Sequence, residues 1–265
     1  MSFLEVRALS AGYGKAPILQ NVSFCLDRGE IVGILGANGS GKTTLLKSIC
    51  GILPYGGSCV LEDISLESLS PRQLARLCSY IPQRSGIGID IPVLDVVLMG
   101  FNPRLGLLEH PTAAMRAQAK EALAMVGLSG REQDNYLTLS EGQKQLCILA
   151  RTLCADGKLL LLDEPESALD FRFRYRMLHI LRDWSAERNR SALVALHDPT
   201  LALNCSDRLL LLSGGTITGA IRPAVDSREE MEQALEPVYG NVSLHSCQSR
   251  SGKPALLMLK EEDLP

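Results

Sequence analysis

The sequence lacks any apolar run that approaches the ~20 residues of a membrane-spanning helix. Its longest runs, such as Leu159–Leu162 and Leu209–Leu212, have the length of a strand. The first ten residues carry Glu5 and Arg7 where a signal peptide has its apolar stretch. We therefore expect a chain that does not enter a membrane by itself but can sit on a membrane protein.

Positive charge is not in excess, since 27 Lys and Arg residues stand against 30 Asp and Glu residues. A chain that binds nucleic acid usually carries a basic surface, so this balance argues against such a partner. Repeats and low-complexity segments are also absent. With 46% hydrophobic residues in 265 positions, the chain is long enough to bury a core of its own, in one large domain or two small ones.

The 8 cysteines include no C-x-x-C pair, so neither a zinc site nor a disulfide framework is indicated. Most lie in apolar segments, which favours buried thiols in a reducing compartment. Cys147 and Cys154 share one helix face, but two thiols alone do not make a metal site.

The apolar pattern predicts an α/β fold with a largely parallel sheet, an antiparallel N-terminal β part and a helical insertion at about 90–155. Strands are predicted at 22–26, 31–35, 159–162, 192–196 and 208–212. Helices are predicted at 42–50, 71–78, 93–100, 112–127, from 140 onward and at 171–184. A tail from about 226 carries one helix and two strands around Ser251-Gly252.

A phosphate-binding loop stands between the predicted strand 31–35 and the helix that follows it. Gly36-Ala37-Asn38-Gly39-Ser40-Gly41-Lys42-Thr43 matches the pattern G-x-x-x-x-G-K-[ST] in full. Glycines let backbone N–H groups cradle phosphate oxygens, Lys42 reaches the β- and γ-phosphates, and the Thr43 hydroxyl binds Mg²⁺. The predicted nucleotide-binding residues here are Gly36, Asn38, Gly39, Ser40, Gly41, Lys42, Thr43 and Thr44.

A pair of carboxylates follows the second strongly apolar strand. Asp163 and Glu164 come directly after Leu159–Leu162, at the carboxyl end of that strand, and we expect them beside the phosphate loop. Asp163 can then hold Mg²⁺, and Glu164 can orient or deprotonate the attacking water.

Leu139-Ser140-Glu141-Gly142-Gln143 resembles the LSGGQ signature of ABC-type ATPases. Ser140 and Gln143 also form an S-x-x-Q capping box that would begin a helix. Further segments resemble that family in its own order: Tyr13 matches the adenine-stacking aromatic residue, Gln83 the Q-loop glutamine, Ser167-Ala168-Leu169-Asp170 the D-loop, and His197-Asp198 the switch histidine. The resemblance covers about residues 3–220, so we expect an ATPase domain over 1–225 with a P-loop NTPase core, and a short extension over 226–265.

The resemblance implies a homodimer in which two such domains pack head to tail, with each ATP between the phosphate loop of one copy and the signature helix of the other. Ser140, Gly142, Gln143 and Asp170 then join the nucleotide site. Gln83 joins Thr43 and Asp163 as a Mg²⁺ ligand. Gln83 and His197 join Glu164 as catalytic residues.

Two residues depart from the family pattern. Glu141 stands where the family has glycine, and we expect its carboxylate to swing to solvent, which leaves Ser140 and Gly142 as the phosphate contacts. Glu166 stands where threonine is commoner, and the sequence provides no physical account of its effect.

The segment Leu94–Gly100, followed by Pro103, resembles the ATPases that import iron–siderophore complexes, haem and cobalamin, although Phe101 and Arg104 replace that group's usual Arg and His. This resemblance implies a membrane-spanning permease as partner, an indirect link to a substrate-binding protein, and a place on the inner face of the cell membrane. One alternative is a soluble ABC-type ATPase that acts on ribosomes or DNA. Another is a small-molecule kinase, which the signature and switch segments disfavour.

Overall fold

The computed structural model describes residues 2–14, 16–83, 86–106, 108–167, 169–188, 190–248, 252 and 254–261. The strands are β1 (Leu4–Ala11), β2 (Leu19–Leu26), β3 (Ile31–Leu35), β4 (Tyr55–Leu61), β5 (Ile64–Ser65), β6 (Cys78–Ile81), β7 (Leu159–Asp163), β8 (Ser191–Ala195), β9 (Arg208–Ser213), β10 (Thr216–Ile221), β11 (Val242–Gln248) and β12 (Pro254–Lys260). The helices are α1 (Lys42–Ile49), α2 (Pro71–Leu77), α3 (Val93–Leu98), α4 (Ala113–Val126), α5 (Glu141–Ala155), α6 (Phe171–Arg188), α7 (Pro199–Cys205) and α8 (Arg228–Tyr239). Short 3₁₀ turns lie at Leu66–Ser68, Met99–Phe101 and Tyr136–Thr138.

The chain divides into a first unit, Met1–Glu67 with Leu193–Pro265, and a second unit, Ser68–Ala192. In the first unit, β2, β1, β4 and β5 form an antiparallel sheet in that order. Side chains alternate between the two faces of a strand, and one face of β2 is buried. Val22 and Leu26 are therefore buried, whereas Ser23 and Cys25 are exposed.

The first unit also contains the strand that leads to the phosphate loop. All five residues of β3 are buried, which agrees with the apolar pattern on both of its faces. β3 pairs in parallel with β9, from Val32 opposite Arg208 to Leu35 opposite Leu211, and β9 pairs antiparallel with β10. β8 begins in the second unit and ends in the first.

The second unit combines a parallel strand pair with packed helices. β6 and β7 pair in parallel, from Cys78 opposite Leu159 to Ile81 opposite Leu162. Helices α3, α4 and α5 pack on one another, and α4 buries Leu123 and Val126. Thr112 caps α4, and Gly127 ends it in the left-handed conformation, as predicted.

The C-terminal extension comprises α8 and the antiparallel hairpin of β11 and β12. This confirms a helix and two strands, although Ser251 lies outside the described residues. In the first unit, α8 packs on β9, β10 and β11.

The predicted fold class is confirmed, because parallel and antiparallel pairs occur as expected. The predicted helix 93–100 ends at Leu98 and continues as a 3₁₀ turn. The cysteines that are buried as expected are Cys59, Cys78, Cys147 and Cys154. Cys50 and Cys205 are half-buried, and the expectation was wrong for Cys25 and Cys247, which are exposed. Both exposed cysteines lie on the solvent-exposed face of a strand whose other face carries buried residues.

Candidate nucleotide-binding and catalytic site

The phosphate loop joins β3 directly to α1 and depends on its glycines. Gly39 and Gly41 have φ values of 81° and 108°, a region that glycine adopts without a steric cost. A Cβ atom at Gly36 would lie 2.3 Å from the carbonyl oxygen of Leu212, so no larger residue fits there. The local sequence therefore sets the shape of this loop.

The loop presents donors to an anion. The N-terminus of α1 has no side-chain cap, so its first backbone amides are not bound by a capping side chain. Ser40 is buried, and its hydroxyl has no hydrogen-bond partner among the described residues. Lys42 is also buried, and its Nζ donates to the carbonyl oxygen of Gly36 at 2.8 Å. An uncapped helix end, a buried lysine and a buried hydroxyl together fit the phosphates of a nucleotide.

The other predicted contacts of the first unit differ in exposure. Thr44 is buried, Thr43 is half-buried and Asn38 is exposed. Tyr13 is 56% exposed, so a ring face is accessible for stacking on a base.

The carboxylate pair lies where β7 ends in the second unit. Asp163 is 3% exposed, and its Oδ2 accepts a hydrogen bond from the Tyr80 hydroxyl at 3.1 Å. Glu164 has a φ of 46°, in the left-handed region, which costs a residue with a side chain about 1–2 kcal/mol. Its Oε2 accepts a hydrogen bond from Gln83 Nε2 at 2.8 Å. The structure thus brings together the predicted catalytic residues Gln83 and Glu164.

Gln145 supports this pair and was not predicted. It lies in α5, is 7% exposed, and its Nε2 donates to the carbonyl oxygen of Gln83. The available signal was a polar residue among the inward-facing apolar positions of a helix. Nothing in the sequence connects it with a residue 62 positions away.

The signature segment forms the predicted capping box. Ser140 Oγ accepts from the Gln143 amide at 3.3 Å, and Gln143 Oε1 accepts from the Ser140 amide at 3.0 Å. Gly142 lies in the first turn of α5, half-buried. Glu141 turns away to solvent, with a 72% exposed side chain that pairs with Lys144 at 2.8 Å. The expected orientation of Glu141 is therefore confirmed.

The other end of α5 is held by two arginines. Arg104 Nη2 donates to the carbonyl oxygen of Ala155 at 2.9 Å and lies 2.9 Å from Asp156 Oδ2. Arg190 pairs with the same carboxylate. Burial alone would raise the pKa of Asp156, but hydrogen bonds from Arg104 and Arg190 outweigh it and lower that pKa. Arg104, which departs from the importer pattern, thus caps the signature helix.

The D-loop segment leads into α6. Asp170 is exposed, and its Oδ1 accepts from the Phe173 amide at 3.0 Å, so it caps this helix. The Ser167 amide donates to the carbonyl oxygen of Glu164 at 3.1 Å. Glu166 is 2% exposed. Ala168 lies outside the described residues.

The switch segment begins beside β3. The Leu196 amide donates to the carbonyl oxygen of Ile34 at 3.1 Å, and exposed His197 follows. Asp198 Oδ1 accepts from the Leu201 amide at 3.0 Å and caps α7. Ile34 belongs to β3, and the phosphate loop begins two residues later at Gly36. The switch segment therefore begins next to the strand that leads to the phosphate loop.

In the part of the chain that the structure describes, no helix has the length and apolar character needed to cross a membrane. The same residues include no group of three or more His, Cys, Asp or Glu side chains that could hold a metal ion.

Comparison with known proteins identifies the family. The family described as ABC transporter matches residues 19–167. The chain is 39% identical over 230 residues to the hemin import ATP-binding protein HmuV of Bordetella pertussis, covering 83% of this chain and 87% of that one. It is 37% identical over 216 residues to a probable iron chelatin transport ATP-binding protein of Helicobacter pylori, covering 79% and 83%.

Two solved structures of ABC proteins have a fold similar to that of this chain. A metal-chelate type ABC transporter in an inward-facing conformation has a TM-score of 0.82 and 25% identity, covering 98% of this chain and 99% of that one. A dimeric ATP-binding cassette bound to ADP and phosphate shares the fold, with a TM-score of 0.74, 23% identity and coverage of 83% and 98%. The chain belongs to the ABC transporter family and is one of its ATP-binding subunits, an ATPase.

Proposed function

We propose that this ATPase powers an importer whose cargo is haem, an iron–siderophore complex or a cobalamin-type compound. The observation that carries the proposal is the 39% identity to a hemin import ATP-binding protein over most of both chains. The iron chelatin relative and the metal-chelate transporter support the same cargo class.

The proposal includes three partners. A membrane-spanning permease binds the chain at the inner face of the cell membrane. A second copy completes the ATP sites. A substrate-binding protein acts only through the permease, and no nucleic acid is involved. Residues 1–225 form the ATPase domain, with a helical subdomain at about 90–155, and residues 226–265 form an extension.

Each ATP lies on the phosphate loop of one copy, with Lys42 on the β- and γ-phosphates and Tyr13 stacked on adenine. The remaining contacts of that loop are Gly36, Asn38, Gly39, Ser40, Gly41, Thr43 and Thr44. The signature helix of the second copy adds Ser140, Gly142 and Gln143, and its D-loop adds Asp170. Its capped N-terminus, with Glu141 paired to Lys144, carries the positive end of a helix dipole to the γ-phosphate.

We infer that Thr43, Gln83 and Asp163 would hold Mg²⁺, because this ion prefers oxygen ligands, and that the ion would neutralise phosphate charge. The Gln83 amide uses its nitrogen on Glu164, so its oxygen is the group for the cation. Glu164 takes the proton of the water that attacks the γ-phosphorus. His197 donates a hydrogen bond to the γ-phosphate and responds to its loss.

The test is reconstitution of the chain in lipid vesicles with the permease encoded beside its gene. We expect ATP-dependent uptake of haem or an iron chelate, and hydrolysis that a matching substrate-binding protein stimulates. The matched control is the complex with Glu164→Gln, which assembles but transports nothing. Failure to bind any permease, together with co-sedimentation on ribosomes, would overturn the proposal.

A further inference from the structure

A single residue, Asp198, separates His197 from the start of α7. Asp198 caps α7 through the Leu201 amide, and α7 buries Leu201, Ala202 and Leu203. Any contact that fixes α7 therefore also fixes the point from which His197 leaves the sheet.

Two side chains of α7 bind the backbone of β12. Asn204 Nδ2 donates to the carbonyl oxygen of Leu256 at 2.7 Å, and Asn204 Oδ1 accepts from the Leu256 amide at 2.9 Å. Thr200 Oγ1 accepts from the Met258 amide at 3.2 Å. Because residues two apart in a strand present their backbone groups to the same edge, α7 occupies the edge of β12 that β11 leaves open.

The extension is itself anchored within the first unit. α8 buries Met231 and Leu235, and Glu232 Oε1 accepts from the Leu244 amide of β11 at 2.5 Å. At the end of α8, burial and then the nearby Asp198 carboxylate raise the pKa of Tyr239 to about 12. The extension therefore contacts the switch segment at α7, and Tyr239 lies close enough to Asp198 to be affected by its charge.

We propose that the C-terminal extension positions the switch histidine, with Asn204 and Thr200 as positioning residues that hold α7 on β12. The inference rests on the proposed role of His197 at the γ-phosphate. Because none of the proposed ATP contacts lies in α7, loosening this contact should slow hydrolysis with little effect on ATP affinity.

The test uses the full chain in complex with its permease. We expect Asn204→Ala to lower kcat about tenfold, since a misplacement near 1 Å can cost more than that, while the Kd for labelled ATP changes less than about twofold. Amides of α7 should exchange faster with solvent, and those of α1 should not. Thr200→Val, which removes one acceptor hydroxyl, should act in the same direction with a smaller loss.

A second experiment, in a chain that already lacks the His197 side chain, distinguishes a positioning role of Asn204 from a general loss of stability. In a His197→Ala chain, Asn204→Ala should lower kcat no further, because it acts only through that histidine. The matched control is Thr218→Ala, which removes a hydroxyl bond to Leu211 at 3.2 Å in the same unit and should keep the kcat of the parent.

Two results would overturn the inference differently. Full kcat in Asn204→Ala, or a further loss in the His197→Ala background, refutes positioning while His197 keeps its role. Full kcat in His197→Ala refutes the role of the histidine, and the inference with it.

Discussion

At the scale of single residues, the contact of Gln83 with Glu164 joins two side chains 81 positions apart. The neutral amide orients the carboxylate through this one hydrogen bond. Glu164 remains half-exposed, so water can reach it. The geometry therefore suits a base whose direction is set by one hydrogen bond.

We expect Glu164→Gln to bind ATP normally and to hydrolyse it 10²–10⁴-fold more slowly, which is the usual effect of losing a general base. The substitution keeps the shape of the side chain and leaves the phosphate loop intact. Single-turnover hydrolysis and equilibrium binding of labelled ATP measure the two effects. A turnover rate equal to that of the unaltered chain would remove Glu164 from the reaction.

At the scale of elements, α5 is held at both ends by different means. Its N-terminus has the Ser140–Gln143 capping box, and its C-terminus ends at Asp156 beside two arginines. Cations at a helix C-terminus interact favourably with its dipole and its last carbonyl groups. The position of the signature segment thus depends in part on Arg104, at the far end of the helix.

We expect Arg104→Ala to lower the free energy of unfolding by about 1 kcal/mol at neutral pH, because a part-exposed pair and a helix end are lost together. Asp156 has a lowered pKa in the folded chain, so its contribution is present above its ordinary pKa and is lost as the pH falls through the lowered value. The difference between the two chains should therefore shrink below about pH 4.

Urea unfolding at several pH values measures this difference. The matched control is Arg131→Ala, which breaks an exposed pair with Asp134 at 3.4 Å and should cost less than about 0.5 kcal/mol. Equal losses in the two variants would mean that Arg104 acts only as a surface charge.

The elements that the sequence predicted are those whose signal is local. The phosphate loop has its glycines, its lysine and its helix within eight consecutive positions, from Gly36 to Thr43. β4 escaped prediction because Gly56 and Gly57 interrupt its alternation, and it becomes a strand through pairing with the distant β1.

The candidate site divides in the same way. Ser140 and Gln143 lie three positions apart, so their box could be predicted and the structure shows it. Gln145 and Arg104 bind carbonyl oxygens far away in the chain, and a carbonyl group carries no sequence signal. Tertiary contacts to the backbone are therefore the part of the site that sequence patterns miss.

At the scale of the whole molecule, the proposed head-to-tail dimer predicts that two inactive variants restore activity when mixed. In a mixed dimer of one Lys42→Ala chain and one Ser140→Ala chain, both substitutions fall in the same composite site, and the other site is intact. Free exchange should leave about a quarter of all sites intact. ATP hydrolysis by the mixture, compared with each variant alone, measures this recovery. No recovery, despite exchange shown with labelled chains, would contradict sites shared between copies.

The backbone at Glu164, with its φ of 46°, has a consequence for the stability of the whole chain. Glycine is the residue that fits this conformation, so Glu164→Gly should be about 1 kcal/mol more stable than Glu164→Ala, although neither can deprotonate water. Urea unfolding of the two variants measures the difference, and an equal or reversed order would show that the surroundings impose no strain. If the strain is present, selection for heat resistance alone would favour glycine at position 164. The resulting protein would be more stable but would lack the proposed catalytic base.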